Sequence, residues 1–389
     1  MDAGKKQICK QVDKLGPEIS RIATLIGRNP ELGHQEHYAL ELLSGFLQEQ
    51  GFKIITGIGG LATAFKAEFS QGESGPRVAL LAEYDALPGV GHGCGHNLIG
   101  AASIGAAVAL SQLEHLPGTV VVMGTPAEET SGGKVTLAEQ GFFADLDATM
   151  MFHPGSQNVT EITTLALDAL EFIFIGKAAH AASAAHCGIN ALDAVINFFV
   201  GLNSLKKQLA EDARINGIIT EGGVTPNIIP ERAVARLYLR SARRKELDEL
   251  REKVIGCAQG AASMIGAQVS WRKFELSYDE MCSNTSMAET FNKNLRLLGV
   301  TKVVPVQAAM GSVDMGNVSR LVPAIHPYLI LGDGSAIPHT RDFAAEALSE
   351  AGNRLAVFAA KALALTAWDI LNDNKLLQKI RREFSSNNR

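Results

Sequence analysis

Between residues 169 and 277 the chain changes its structural rhythm, and no other feature of the sequence limits its architecture as much. Ahead of this segment, apolar runs suited to strands at 53–56, 62–69, 77–83, 119–123 and 148–152 are separated by helical stretches. Those stretches lie at 20–51, broken near Asn29-Pro30, at 99–113 and at 134–140. Such alternation predicts an α/β fold with a mixed, mostly parallel sheet and helices on both faces. Within the segment the order is strand 169–176, helix 191–210, strands 217–220 and 231–241, helix 244–266 and strand 268–277. A β-α-β-β-α-β sequence predicts a ferredoxin-like α+β unit. In 231–241, Ala233, Ala235, Leu237 and Leu239 alternate with Arg232, Arg236, Tyr238 and Arg240, as in a sheet covered on one face. The α/β style then resumes with a helix at 287–298, strands near 302–306 and 328–331, and a closing helix over 343–371. The expected organisation is a discontinuous larger domain, 1–167 with 280–389, carrying an inserted domain at 168–279.

A chain of 389 residues is long enough for two cores. Its 36 Lys and Arg against 41 Asp and Glu give a net charge of −5, without the basic stripe of a nucleic-acid binder. The short basic clusters at 240–245 and 379–382 suit solvated helix faces. Residues 1–16 lack the apolar run of a signal peptide, and no stretch is expected to span a bilayer, so a cytoplasmic protein without membrane contact is predicted. Five cysteines, odd in number and scattered, argue against a disulfide framework.

Chemistry-bearing residues collect at four places, each at or beyond the carboxyl end of an expected strand. They are His92-Gly93-Cys94-Gly95-His96, Glu128-Glu129, His153 and His339. Open α/β sheets bind ligands outside those strand ends, which makes the four places one candidate site. Adjacent buried carboxylates repel unless a cation or proton intervenes. Thiolate, imidazole and carboxylate together suit zinc, with manganese, cobalt or nickel as substitutes, and disfavour magnesium and calcium. Cys94, His96, Glu129, His153 and His339 exceed what one tetrahedral ion uses, so two divalent metal ions sharing a bridging ligand are expected. Such a pair would support hydrolysis. A dinucleotide loop at 89–100 fits poorly: the spacing is G-x-G-x-G-x-G, and five residues separate it from the strand.

These residues sit in longer motifs. AEYDALPGVGHGCGHNLI at 82–99, PAEE at 126–129, His153-Pro154, GKAAHA at 176–181, PNIIP at 226–230 and HTRDF at 339–343 occur in one order along nearly the whole chain. The set resembles the di-metal aminoacylase/amidohydrolase branch of the zinc carboxypeptidase-type metallopeptidases, nearest to the p-aminobenzoyl-glutamate hydrolases and β-alanyl-dipeptide dipeptidases. The resemblance implies a zinc-exopeptidase-type catalytic domain with a ferredoxin-like lid, and a metallo-amidohydrolase or dipeptidase acting on an acyl-amino acid or dipeptide with a free C-terminal carboxylate. It implies Cys94, His96, Glu129, His153 and His339 as metal ligands and Glu128 as the general base that takes a proton from water. It places His180 near the oxyanion, Asn227 and Arg240 on the substrate, and Glu83 and Asp85 behind the ligands as orienting carboxylates.

Arg243 and Arg244 lie close enough to Arg240 to compete for its role, whereas His34, His37 and His186 carry no motif support and are assigned to structure or surface. Many relatives have Ala at Gly93 and Asp at Asn97. The first difference is expected to loosen the loop and the second to remove a charge beside the metals. A lid inserted between two halves of the catalytic domain is expected to close over substrate, and a homodimer through that domain, using strand 169–176 or its neighbouring helices, is a further expectation. The alternative function is a metal- or ligand-binding protein that keeps the fold without hydrolysing anything.

Overall fold

A computed structural model describes residues 1–72, 74–306 and 311–387. The chain forms two compact units, one from residues 1–163 with the described parts of 281–308 and 313–389, the other from 164–280 with the described part of 309–312.

The larger unit begins with helix α1 (Ala3–Arg28), capped by the Asp2 carboxylate on the Lys5 amide at 2.8 Å, and α2 (His37–Glu49). Helix α1 extends well before residue 20 because Ile8, Val12, Ile19 and Ile22 keep one buried face through Pro17. Strands β1 (Lys53–Thr56), β2 (Phe65–Ser70) and β3 (Arg77–Ala82) follow, then α3 (His96–Ser111), β4 (Thr119–Gly124), α4 (Gly133–Glu139), β5 (Ala148–Met150) and β6 (His153–Gly155). The smaller unit is β7 (Ala166–Ile175), α5 (Ala191–Lys206), β8 (Arg214–Glu221), β9 (Arg232–Ser241), α6 (Arg244–Ile265) and β10 (Gln268–Lys273). The chain returns through α7 (Thr285–Leu297), α8 (Met315–Ser319), β11 (Ala324–Ile325), β12 (Tyr328–Ile330), α9 (Arg341–Ala347), α10 (Glu350–Asn372) and α11 (Asn374–Asn387).

The main sheet has the order β1-β2-β4-β3-β5-β11, with β4, β3, β5 and β11 mutually parallel and β1 and β2 antiparallel at one edge. Helix α3 is buried along its whole length, packed on β3 and β4 and backed by α1 and α10. Its small residues permit that approach: a Cβ on Gly105 would stand 2.4 Å from Ile19. The expected strand at 302–306 does not form; the short β11 instead pairs with β5. The expected closing helix is two helices, because the Ser349 hydroxyl accepts the Ala351 and Gly352 amides and starts α10 anew. Contrary to expectation, α10 is long and apolar enough to cross a membrane by length and composition, but two-thirds of that stretch is buried inside the protein (67%).

In the smaller unit the antiparallel sheet runs β10-β7-β9-β8, the strand order of a ferredoxin-like unit. Helices α5 and α6 cover one face, where Phe198 meets Phe172 and Phe174 at ring separations of 4.9 and 5.7 Å. Strand β7, offered above as a dimerisation edge, lies between β10 and β9 and has no free edge; β8 does.

Asp168 is buried on β7 and accepts hydrogen bonds from Ser277 Oγ (2.6 Å), Arg244 Nη1 (2.9 Å) and Arg251 Nη1 (3.1 Å). Burial alone would raise its pKa; the Ser277 hydroxyl and the Arg244 guanidinium outweigh burial and hold it below the usual carboxylate value. A depressed folded-state pKa stabilises above the unfolded value, about 3.9, and that contribution disappears as pH falls through the lower folded value. Asp168→Asn is therefore expected to cost about 3 kcal/mol at pH 7 and to flatten the acid limb of the stability curve, measured by denaturant unfolding between pH 7 and pH 2. An unchanged acid limb would remove Asp168 as its source.

Candidate metal centre

The site of the larger unit is built at the carboxyl ends of the parallel strands. After β3, residues 83–95 lead into α3, and Gly95, at φ +72°, turns the chain so that His96 opens the helix. A Cβ on Gly95 would stand 2.6 Å from Pro154, so the turn also seats the His153-Pro154 segment. Asp85 Oδ1 accepts from His96 Nδ1 at 2.9 Å, and Asp85 Oδ2 accepts the Glu129 amide at 2.9 Å. One carboxylate thus fixes the His96 tautomer and ties the Glu128-Glu129 loop to it, leaving Nε2 with the lone pair. His153 donates from Nδ1 to its neighbour's carbonyl, Pro154 O, at 2.7 Å, with the same consequence for Nε2.

Candidate donor atoms within 4.8 Å of one another fall into three overlapping groups: Cys94, His96 and His153; Cys94, Glu129 and His339; His96, Glu128 and Glu129. Six of the seven residues singled out at the strand ends are therefore brought together; His92, buried nearby in sequence, is in none of the three groups. His96 Nε2 and Glu129 Oε1 are buried without a hydrogen-bond partner and lie 3.9 Å apart. Around them stand the carboxylates of Glu83, Asp85, Glu128, Glu129 and Asp314 against the ammonium of Lys134. This is an excess of acidic groups over fixed cations of the kind that bound divalent ions would balance. Burial together with Glu83, Asp314 and Glu129 pushes the Glu128 carboxyl well above its usual range, and burial with Glu129 and Glu128 pushes the Cys94 thiol up. The orphaned donors, their soft and hard mixture, and the uncompensated charge all fit a pair of divalent metals.

Several participants were not legible in the sequence. Lys134, completely buried at the start of α4, donates to Glu83 Oε1 at 2.5 Å and Asp314 Oδ1 at 2.8 Å, and its amide donates to Asp314 Oδ2 at 3.1 Å. Glu83 therefore differs from Asp85: it does not brace a ligand nitrogen through Nδ1 but is held by Lys134, with Oε2 3.4 Å from His96 Nε2. Buried His326 packs its ring 5.6 Å from His153 and stacks on Tyr328 at 5.3 Å. Only Gly132-Gly133 before Lys134 hinted at a tight turn here, and nothing local marks a lysine as buried.

The structure adds to two expectations. The Gly93 carbonyl accepts the His339 amide at 2.9 Å, and a Cβ on Gly93 would stand 2.8 Å from Val90, so the position favours glycine for space. Asn97 does more than remove a charge: its Nδ2 donates to Ala23 O at 3.1 Å, a bond an aspartate could not make.

In the smaller unit, His180 Nδ1 accepts the Ala182 and Ser183 amides at 3.2 and 3.3 Å, which puts the ring proton on Nε2. Asn227 Oδ1 accepts from Thr225 Oγ1 at 2.9 Å. Arg240 lies over the Tyr238 ring at 5.4 Å with Nε buried and without a hydrogen-bond partner. Arg244 is consumed by Asp168 and Asp279, and Arg243 is exposed beside Glu246, so Arg240 is the one of the three whose guanidinium has no carboxylate among the described residues.

The profile of peptidase family M20/M25/M40 matches residues 79–362. The chain belongs to this family. It is 37% identical over 396 aligned positions to the Xaa-Arg dipeptidase of Mus musculus, covering 98% of this chain and 92% of that one. It is 35% identical over 285 positions to a p-aminobenzoyl-glutamate hydrolase component of Escherichia coli K12, covering 68% of this chain and 58% of that one. A dinuclear metal-binding M20 peptidase of Bacillus subtilis superposes with a TM-score of 0.70 at 21% identity, over 92% of this chain and 99% of that one. The chain is accordingly a hydrolytic enzyme of the amide- or peptide-cleaving kind, which displaces the non-hydrolytic alternative.

Proposed function

We propose that this enzyme is a metal-dependent hydrolase of the amide bond in dipeptides or N-acyl-amino acids that carry a free C-terminal carboxylate. The observation that carries it is the convergence of Cys94, His96, Glu129, His153 and His339 on shared donor positions with Glu128 beside them. Those five residues would hold two divalent ions, zinc or manganese first by donor chemistry, with cobalt and nickel as substitutes. When bound, the ions supply Lewis acidity to the scissile carbonyl and lower the pKa of water. Glu128 accepts a proton from the attacking water and returns it to the leaving nitrogen, a task suited to a carboxylate standing beside the donor cluster. Asp85 keeps His96 and the Glu129 backbone in place during that transfer.

On the smaller unit, His180 is proposed as a donor from Nε2 to the developing oxyanion, Asn227 as a contact to the carbonyl region, and Arg240 as the reader of the substrate carboxylate. The His180 tautomer and the unpaired Arg240 guanidinium support these roles. The names of the dipeptidase and aminobenzoyl-glutamate hydrolase relatives support the substrate class. Homodimerisation through this unit is also proposed, now through the free edge of β8, where Ile218 is 64% exposed.

The test is a panel of dipeptides and acyl-amino acids assayed before and after chelation, with bound metal measured in parallel. Turnover on a substrate with a free carboxylate is expected, lost on chelation and restored by a divalent ion, and the amidated form of the same substrate should be cut at least tenfold more slowly. Turnover that survives complete metal removal would refute the metal dependence. Sedimentation at the mass of one chain would refute the dimer.

A further inference from the structure

The loop between α1 and α2, given no chemical role above, touches the loop that carries Glu128 and Glu129 at three points. Glu36 is fully buried, and its two carboxylate oxygens serve two different segments. Oε2 accepts from Thr63 Oγ1 at 2.7 Å, and Oε1 accepts the Ala127 amide at 2.8 Å. His34 Nε2 lies 2.5 Å from Ser131 Oγ. Gly33 lies so near that a Cβ there would stand 3.0 Å from the Ala127 Cα and 2.2 Å from Thr130 Oγ1.

The backbone at this contact is unusual. Ala127 has φ +61° and His34 φ +67°, left-handed conformations that cost a residue with a Cβ roughly 1–2 kcal/mol. A conformation of that cost persists only where neighbouring groups over-determine it. Here the Ala127 N–H is taken by Glu36, while the Ala127 carbonyl accepts the Ser131 and Gly132 amides at 3.1 and 2.8 Å. Two residues later Asp85 holds the Glu129 amide. The peptide that presents Glu128 and Glu129 is therefore pinned by a buried carboxylate on each side of Glu128.

We infer that Glu36 is a positioning residue for Glu128 and Glu129: it fixes the left-handed Ala127 peptide and thereby sets the direction in which both carboxylates leave the backbone. The inference rests on the proposed roles of those two glutamates. In Glu36→Ala the Ala127 amide loses its acceptor, and a displacement on the order of 1 Å at a reacting group can cost about a hundredfold in rate.

Three variants test this: Glu36→Ala, Glu36→Gln and Thr63→Val, each followed by kcat and KM, bound metal after dialysis, thermal unfolding, and amide hydrogen exchange of residues 125–133. Glu36→Ala is expected to lose about a hundredfold in kcat with KM within about threefold, to release metal more readily, and to exchange faster over 125–133. Glu36→Gln should recover to within about tenfold of the parent, because its Oε1 still accepts from Ala127 and its Nε2 can donate to Thr63. Thr63→Val, which leaves the Ala127 contact intact, should lose only a few-fold. Parental kcat in folded Glu36→Ala, or a loss that follows only the folded fraction, overturns the inference. If the parent hydrolyses nothing on the panel, the functional proposal fails separately, and unchanged exchange over 125–133 in the Glu36 variants would still overturn the clamp. Should Glu36→Ala not fold, Glu36→Gln and Thr63→Val decide by the same readouts, with a Thr63→Val defect as large as a hundredfold counting against it.

Discussion

Glu128→Gln should reduce kcat by about three orders of magnitude or more while leaving bound metal close to two ions per chain. General acid–base catalysis by a positioned carboxylate contributes about 10²–10⁴-fold, and the proposed reaction uses Glu128 twice, to take the water proton and to deliver it to the amine. The amide keeps the shape and removes the basicity. Its neighbour Glu129 offers a buried oxygen without a hydrogen-bond partner and shares donor positions with Cys94 and His339, so metal retention should depend on Glu129 far more than on Glu128. Rate measured under single-turnover conditions, together with metal content by elemental analysis, separates the two glutamates. Parallel loss of metal and rate in Glu128→Gln would make Glu128 a ligand.

Lys134→Met should lower the unfolding free energy by about 3–5 kcal/mol, because removing one partner from a buried ion pair leaves uncompensated charge. The lysine lies between Glu83 and Asp314, both within 2% of complete burial, and Lys134 itself is 0% exposed. The double variant Lys134→Met with Asp314→Asn should regain part of that loss, since it removes one of the two stranded anions. Denaturant unfolding of the metal-free protein measures both. Equal stability of Lys134→Met and the parent would show that Glu83 and Asp314 are carried as neutral acids and that the charge imbalance described for the site is overstated. The ion pair also matters to function, because Glu83 Oε2 faces His96 Nε2 and the lysine determines which oxygen does so.

What could be read locally depended on whether a residue's role is expressed in its own segment. The change from α/β alternation to β-α-β-β-α-β is a property of consecutive residues, so the ferredoxin-like sheet was legible before the structure. The strand expected at 302–306 does not form, because a short apolar run does not reveal whether a partner edge is available to it, and the position beside β5 is held by β11. Helix α10 is long and apolar enough for a membrane span by length and composition, and is a core helix because α1, α3 and α7 pack against it. At the site, Cys94, His96, Glu128, Glu129, His153 and His339 could be grouped before the structure because metal-type side chains at strand ends are marked by residue type, and their donor atoms do lie together. Glu36, Lys134 and Asp314 could not be, since a carboxylate or ammonium reads as solvated surface unless its partner is known, and their partners are 91, 51 and 180 residues away.

The order of elements, the inserted position of the second unit and the identity of the metal-type side chains were therefore determined by the sequence itself, through hydrophobic periodicity and residue chemistry. Tertiary structure alone decided which oxygen of Glu83 and of Asp85 faces a His96 nitrogen, which amide or ammonium holds the other, and why Ala127 can keep a left-handed backbone. Burial makes that difference. Once water is excluded, an ionised group needs a specific partner, and which one it finds depends on how distant segments pack.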